Sequence, residues 1–318
     1  MNKFVPILLI ITILIIGTIS LEIINLLNQR SNNIVRYTLF PGYTTSFSII
    51  GSYLSDSEYA MAEIYSKNAS LMVSPFLWNV NYALGEVNMT FNKFLYVSIN
   101  LTRVQKINYN IPVDGYPGLM YGQESWFPFA THTEELKTLS LPMIVSNLPS
   151  FYSILNYSLY NNTGQIDDFS YDIWLSKNPL TTSLTYGDFE VMIWMYWTEN
   201  LSSPFVYAGN LTIPILVNGS IYNYSWKVYV LPRTGSSNGW TSIYFLSPIQ
   251  LKNGVVGIPI SYVLKNLNSF LNKVGINFYN DTQYYLDAIQ IGMEFNDNLQ
   301  GNVNVGYYLY SWQILIEN

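Results

Sequence analysis

In an extended strand, successive side chains point to opposite faces, and residues 189–197 obey that period with few exceptions. Glu190, Met192, Trp194 and Tyr196 fall on one face; Phe189, Val191, Ile193 and Met195 fall on the other. Residues 288–296 repeat the pattern: Gln290, Gly292, Glu294 and Asn296 point one way, and Ile289, Ile291, Met293 and Phe295 the other. Each segment therefore has an apolar back suited to a core and a front carrying a lone carboxylate. A third segment, 170–175, sets Asp172 and Trp174 opposite Tyr171, Ile173 and Leu175.

Further short runs follow the same period. They lie at 71–73, 92–101, 106–111, 119–121, 143–145, 153–159, 213–216, 225–231, 240–246 and 306–317, and turn signals such as Asn178-Pro179 and Asn218-Gly219 separate many of them. Strands this short and this frequent predict an all-β sandwich or barrel. The 28 Tyr, 16 Phe and 8 Trp of the 318 residues agree with that class. One stretch reads as helix: Val263, Leu267, Phe270, Leu271 and Val274 share a face over 261–274, with Pro259 and Ser261 to start it and Gly275 to end it.

The start of the chain is of a different kind. Lys3 precedes an apolar run over 4–19 that extends through 21–27, so residues 1–28 are expected to be a secretory signal or an uncleaved anchor, with 4–27 as the tether. Residues 29–69 read as linker and first strands, and 70–318 as the main domain. The body is expected outside the cell, secreted or held at the outer membrane face. Ten Asn-x-Ser/Thr sequons, at Asn68, Asn88, Asn100, Asn156, Asn161, Asn200, Asn210, Asn218, Asn223 and Asn280, agree with export. The chain is expected to be a monomer.

Composition removes whole classes of chemistry. A net charge of −6 without basic runs excludes nucleic acid as a partner. With no cysteine and a single histidine, His132, thiol nucleophiles, thiolate metal sites and multi-histidine zinc sites drop out. His132 lies in no nucleophile-elbow context and reads as a surface-loop residue. Carboxylates remain, and no metal or organic cofactor is expected. Cleaving a glycosidic bond needs one carboxylic acid and one carboxylate across the anomeric carbon, about 5–5.5 Å apart in retaining enzymes and about 6.5–9.5 Å in inverting ones. Glu190 and Glu294, on two strand fronts of one sheet, can meet that need. Met192 and Trp194 suit the apolar face of a sugar, Gln290 and Asn296 its hydroxyls, and Trp78, Trp126, Trp174 and Trp240 are further stacking candidates.

Several of these segments resemble glycoside hydrolase family 12. Glu190-Val191-Met192-Ile193-Trp194 is similar to its nucleophile strand and Gln290-x-Gly292-x-Glu294 to its acid/base strand. Tyr171-Asp172-Ile173-Trp174, Asp114-Gly115-Tyr116-Pro117 through Tyr121-Gly122 to Trp126, and Leu141-Pro142 through Pro149 resemble further segments in the same order. The resemblance implies a β-jelly-roll sandwich with a concave substrate cleft and one packed α-helix. It implies a retaining endo-β-1,4-glucanase acting on β-glucan, with Glu190 as nucleophile, Glu294 as acid/base, Asp172 supporting Glu190 and Met192 beneath the reacting sugar. Xyloglucan or mixed-linkage β-glucan are the alternative substrates. A non-catalytic carbohydrate-binding jelly roll is the alternative of another class.

Overall fold

The computed structural model describes residues 34–40, 47–52, 61–126, 131–133, 135–198, 201–233 and 239–317. The leader read at 1–28, the tether at 4–27 and the sequon at Asn200 lie outside them. Eighteen strands follow in chain order among the described residues. They are β1 (Ile34–Phe40), β2 (Phe47–Ser52), β3 (Ala62–Tyr65), β4 (Ser70–Ser74), β5 (Val80–Phe91) and β6 (Leu95–Lys106). Next come β7 (Gly118–Glu124), β8 (Thr131–His132), β9 (Met143–Ile144), β10 (Ser150–Thr163), β11 (Gln165–Ser176) and β12 (Phe189–Trp197). The last six are β13 (Val206–Val217), β14 (Ser220–Leu231), β15 (Thr241–Leu246), β16 (Asn253–Ile258), β17 (Tyr285–Asn296) and β18 (Asn302–Glu317).

Pairing divides them into two layers of a jelly-roll sandwich. The inner layer runs β3-β4-β7-β17-β11-β12-β15-β14, antiparallel except for the parallel β12–β15 pair. The outer layer runs β13-β16-β10-β18-β6-β5-β2, with β1 beside the end of β18. The long β13–β14 hairpin joins the layers. Between them sits one apolar core, to which the back faces of the site strands contribute Tyr171, Ile173, Val191, Ile193, Ile289, Ile291 and Met293. The fronts of those strands are left to form a concave surface.

The predicted helix is present in two pieces, α1 (Ile260–Lys265) and α2 (Leu267–Lys273). The break falls at Asn266, whose side-chain amide donates to the Tyr262 carbonyl at 2.7 Å. That carbonyl would otherwise accept the helical hydrogen bond from residue 266, so the side chain displaces the backbone. Ile260, Val263, Leu264, Leu267, Phe270 and Leu271 still point into the core, and Gly275 ends the helix at φ +84°.

Four readings are corrected. Residues 92–101 are not one strand: a turn around Lys93, at φ +74°, separates β5 from β6. Beyond Lys106, residues 107–114 form a loop, because Asn108 caps a turn, accepting from Asn110 N at 3.0 Å and, through its carbonyl, from Ile111 N. In β12 the face assignment fails at Tyr196. Phe169 pairs with Tyr196 but Ser170 with Trp194, so Met195 is an extra residue. This bulge reverses the phase: Tyr196 joins the core and Trp197 takes the concave side. His132, read as a loop residue, lies in the short strand β8.

Candidate active site

Strand β11 is the axis of the concave face, flanked by β12 and β17. Across one ladder Trp174 faces Glu190 and Asp172 faces Met192; across the other, Asp168 faces Glu294 and Asp172 faces Gln290. A bulge at Asp167 on β11 turns an additional carboxyl toward the cleft, since Ile166 pairs with Phe295 and Asp168 with Glu294.

Two cavities meet over these strands. One, of about 530 Å³, is lined by Asp167, Met192, Trp194, Phe205, Ser242 and Tyr244, among others. The second, of about 480 Å³, is lined by Glu124, Trp126, Asp172, Trp174 and Gln290, among others. Glu190, Glu294, Trp78, Ile111, Arg233 and Trp240 border both. Asn296, also read as facing sugar hydroxyls, is buried, donates to Asp167 Oδ1 at 2.5 Å and lines neither cavity. The structure does bring Glu190, Glu294, Asp172, Met192, Gln290 and the five candidate tryptophans to one cleft. Their surroundings differ: Trp194, 6% exposed, packs with Met192, Tyr244 and Leu246, whereas Trp78, Trp126 and Trp240 are only half-buried. Trp126, Trp174 and Trp240 meet edge to face, with ring centres 5.7 and 5.0 Å apart.

A glycine pair gives the floor its shape. Gly292 lies opposite Gly118, and a Cβ on Gly292 would sit 2.7 Å from the Pro117 carbonyl oxygen and 2.9 Å from the Tyr116 ring. Tyr116 can cross the sheet there, and its hydroxyl donates to the Ser170 carbonyl at 3.1 Å.

The two glutamates occupy different electrostatic surroundings. Glu190 Oε2 accepts from Trp240 Nε1 at 3.0 Å and from Ser242 Oγ at 2.5 Å. Burial raises its pKa, while both donors and the Arg233 charge oppose that shift. Glu294 has no such help. Burial, the charge and hydrogen bond of Asp168, and the charges of Asp167 and Glu190 all push its pKa well above the usual carboxylate range.

Asp168 is fully buried and accepts from Ser170 Oγ at 2.7 Å. Burial outweighs the Glu294 and Ser170 hydrogen bonds, and its pKa rises to about 7. The Asp168–Glu294 hydrogen bond favours the charged form of Asp168 and the neutral form of Glu294. Asp172 is raised well above its ordinary value by burial, then by Glu190, Glu124 and Asp168. Each of these influences disfavours its charged form.

Asp168, Glu124, Ser242 and Arg233 were not singled out in the sequence. Asp168 shared the face of Asp172 by simple alternation, and that signal was there to be used. Glu124 is buried at the end of β7, accepts from Gln290 Nε2 at 2.5 Å, and is raised by burial to about 8. Oε2 of Glu124, Oε1 of Gln290, Oδ1 of Asp172 and Nε1 of Trp174 have no hydrogen-bond partner among the described residues.

Solved structures share this architecture. A family 12 xyloglucanase from Bacillus licheniformis matches with a TM-score of 0.57 at 17% identity, over 84% of this chain and 100% of that one. Endoglucanase 3 of Trichoderma harzianum, from the same family, matches with 0.53 at 18%, over 84% and 97%. Endoglucanase cel12A of Rhodothermus marinus matches with 0.52 at 16%, again over 84% and 97%. At these identities the likeness is one of fold. No curated protein matches in sequence. The sequence profile of glycosyl hydrolase family 12, however, covers residues 69–317, and the chain belongs to that family.

Proposed function

We propose that this glycoside hydrolase is a retaining endo-β-1,4-glucanase in which Glu190 is the nucleophile and Glu294 the acid/base. The supporting observation is the contrast between the two carboxyls: Glu190 faces two donors and a guanidinium, Glu294 faces other carboxyls. Where neighbours push two titrating groups apart, the group with donors serves as the anion and the other as the acid. Glu190 attacks the anomeric carbon while Glu294 passes its proton to the departing glycosidic oxygen. The resulting glycosyl ester on Glu190 is then cleaved by water, which Glu294, now ionised, deprotonates. Asp172, its charged form disfavoured, supports the Glu190 carboxylate. Met192 lies under the reacting ring, and Trp78, Trp126, Trp240 and Gln290 hold neighbouring sugars, with Trp194 as their backing.

A cleft bordered by two continuous cavities suits attack within a chain, and a neutral polymer suits a wall of tryptophans and amides. The leader read in residues 1–28 supports an exported enzyme. Among the described residues no helix is long and apolar enough to cross a membrane.

Release of reducing ends from carboxymethylcellulose, xyloglucan and mixed-linkage β-glucan tests the proposal. Wild type is expected to favour the unbranched β-1,4-glucan, with Glu190→Gln and Glu294→Gln each at least about a hundredfold slower. Substitutions that leave the rate untouched would return the chain to the binding-module alternative.

A further inference from the structure

Residues 107–111 alternate like a strand, yet they form a loop that leaves its apolar side chains outside. Ile107, Tyr109 and Ile111 are 62%, 63% and 37% exposed, with Asn108 and Asn110 exposed between them. The loop is nonetheless firmly braced. Asn79 Nδ2 donates to the carbonyls of Asn108 (3.2 Å), Ile111 (3.2 Å) and Val113 (2.7 Å), and its Oδ1 accepts from Asn108 N at 2.8 Å. Buried Lys106 donates to the Pro112 carbonyl at 2.7 Å and pairs with Asp114 and, at 3.3 Å, with Asp297. Asp114 N donates to the Phe295 carbonyl at 2.8 Å, so the brace ends one residue from Glu294. Burying a cation between two carboxylates is a demanding way to hold a loop, and here it presents three apolar groups to solvent.

The inner side of that loop already belongs to the cleft, since Asn110, Ile111, Pro112 and Val113 line the larger cavity and Ile111 borders both. Tyr109 directly precedes Asn110 in the turn, so this exposed residue adjoins the cleft wall. We propose that Ile107, Tyr109 and Ile111 form an accessory platform for pyranose rings of the same neutral polysaccharide, beyond the sugars held in the cavities. This rests on the glucan-hydrolase reading above. An aromatic face covers the C–H face of a sugar while nearby amides meet its hydroxyls, and Tyr109 between Asn108 and Asn110 supplies both. The row carries no charge, as a neutral glycan requires. A second copy of the chain fits poorly, because three side chains fall far short of the roughly 1,200 Å² that a stable interface buries.

Kinetics of wild type, Tyr109→Ala and Tyr109→Phe on hydroxyethylcellulose and on a nitrophenyl cellobioside test the platform. Tyr109→Ala is expected to raise KM on the polymer about three- to tenfold, the range of one lost stacking contact. Its kcat and its behaviour on the short substrate stay unchanged, and Tyr109→Phe stays near wild type. No change on the polymer, or equal losses on both substrates, overturns the platform. Retardation in native gels containing hydroxyethylcellulose reads it without catalysis: wild type and Glu190→Gln should be held back, and Tyr109→Ala less so. A wild type that cleaves nothing yet is retarded through Tyr109 would end the hydrolase reading and keep the platform. A dimer in sedimentation that Tyr109→Ala abolishes would replace it with self-association.

Discussion

Asp168 and Glu294 face each other across the β11–β17 ladder, and fully buried Asp168 pushes the pKa of half-buried Glu294 upward through its charge and hydrogen bond. No cation stands among the causes that set either pKa. Replacing Asp168 with Asn removes a like charge and supplies an amide donor, and both changes favour ionised Glu294. The alkaline limb of the kcat/KM profile is therefore expected to move down by about one pH unit or more in Asp168→Asn, one unit being about 1.4 kcal/mol. An unmoved limb would separate Asp168 from the acid.

Glu190 should respond in the opposite sense. Ser242→Ala deletes one of the two donors to Oε2, and a hydrogen bond to a charged group contributes about 1.5–3 kcal/mol. Loss of that donor raises the Glu190 pKa. The acid limb of kcat/KM should move up by about one unit, and kcat should fall about tenfold, as read by a pH series on a soluble glucan. Trp240→Phe should act likewise, with an added cost in KM from the altered cleft wall.

Stability should fall as pH rises. Glu124 and Asp287 are each raised by burial to about 8, and Asp168 to about 7. Unfolded, these groups titrate near pH 4, so between about pH 4 and pH 8 the folded chain binds more protons than the unfolded one. The slope of unfolding free energy with pH is then negative. The contribution is complete below about pH 4 and is lost as pH climbs through the folded values. Thermal midpoints measured from pH 4 to 8 should decline, and Glu124→Gln or Asp287→Asn should flatten the decline. A midpoint that climbs toward neutrality would contradict this.

Gly292→Ala should be destabilising although it adds a single methyl group. The new Cβ would meet the Pro117 carbonyl oxygen at 2.7 Å and the Tyr116 ring at 2.9 Å, and backbone on one side leaves little room to yield. Overpacking of this kind costs about 1–3 kcal/mol, measurable as a lower denaturant midpoint. Activity should fall with it, because Tyr116 lines the second cavity beside Gln290.

What the residues announced on their own was local. Alternation over 189–197 marked the bounds of β12, and the same period there, over 170–175 and over 288–296 set Glu190, Asp172 and Glu294 on fronts backed by core residues. The helix was legible from its apolar spacing, though not its break, because Asn266 competes for a carbonyl only once the turn has formed. Motif order carried the family. The bulges at Asp167 and Met195 were invisible, since a bulge is a mismatch between two strands and neither strand records it alone. Arg233 and Glu124 were equally silent, for no spacing ties them to strands far away in the chain. The loop at 107–111 imitated a strand, and the side chains of Asn79 and Asn108 decided otherwise. Side-chain period follows from the geometry of a single extended chain, so sequence suffices to read it. Which carboxyls face each other, and which loop walls a cleft, depends on strands far apart in the chain, and only the packed sandwich settles that.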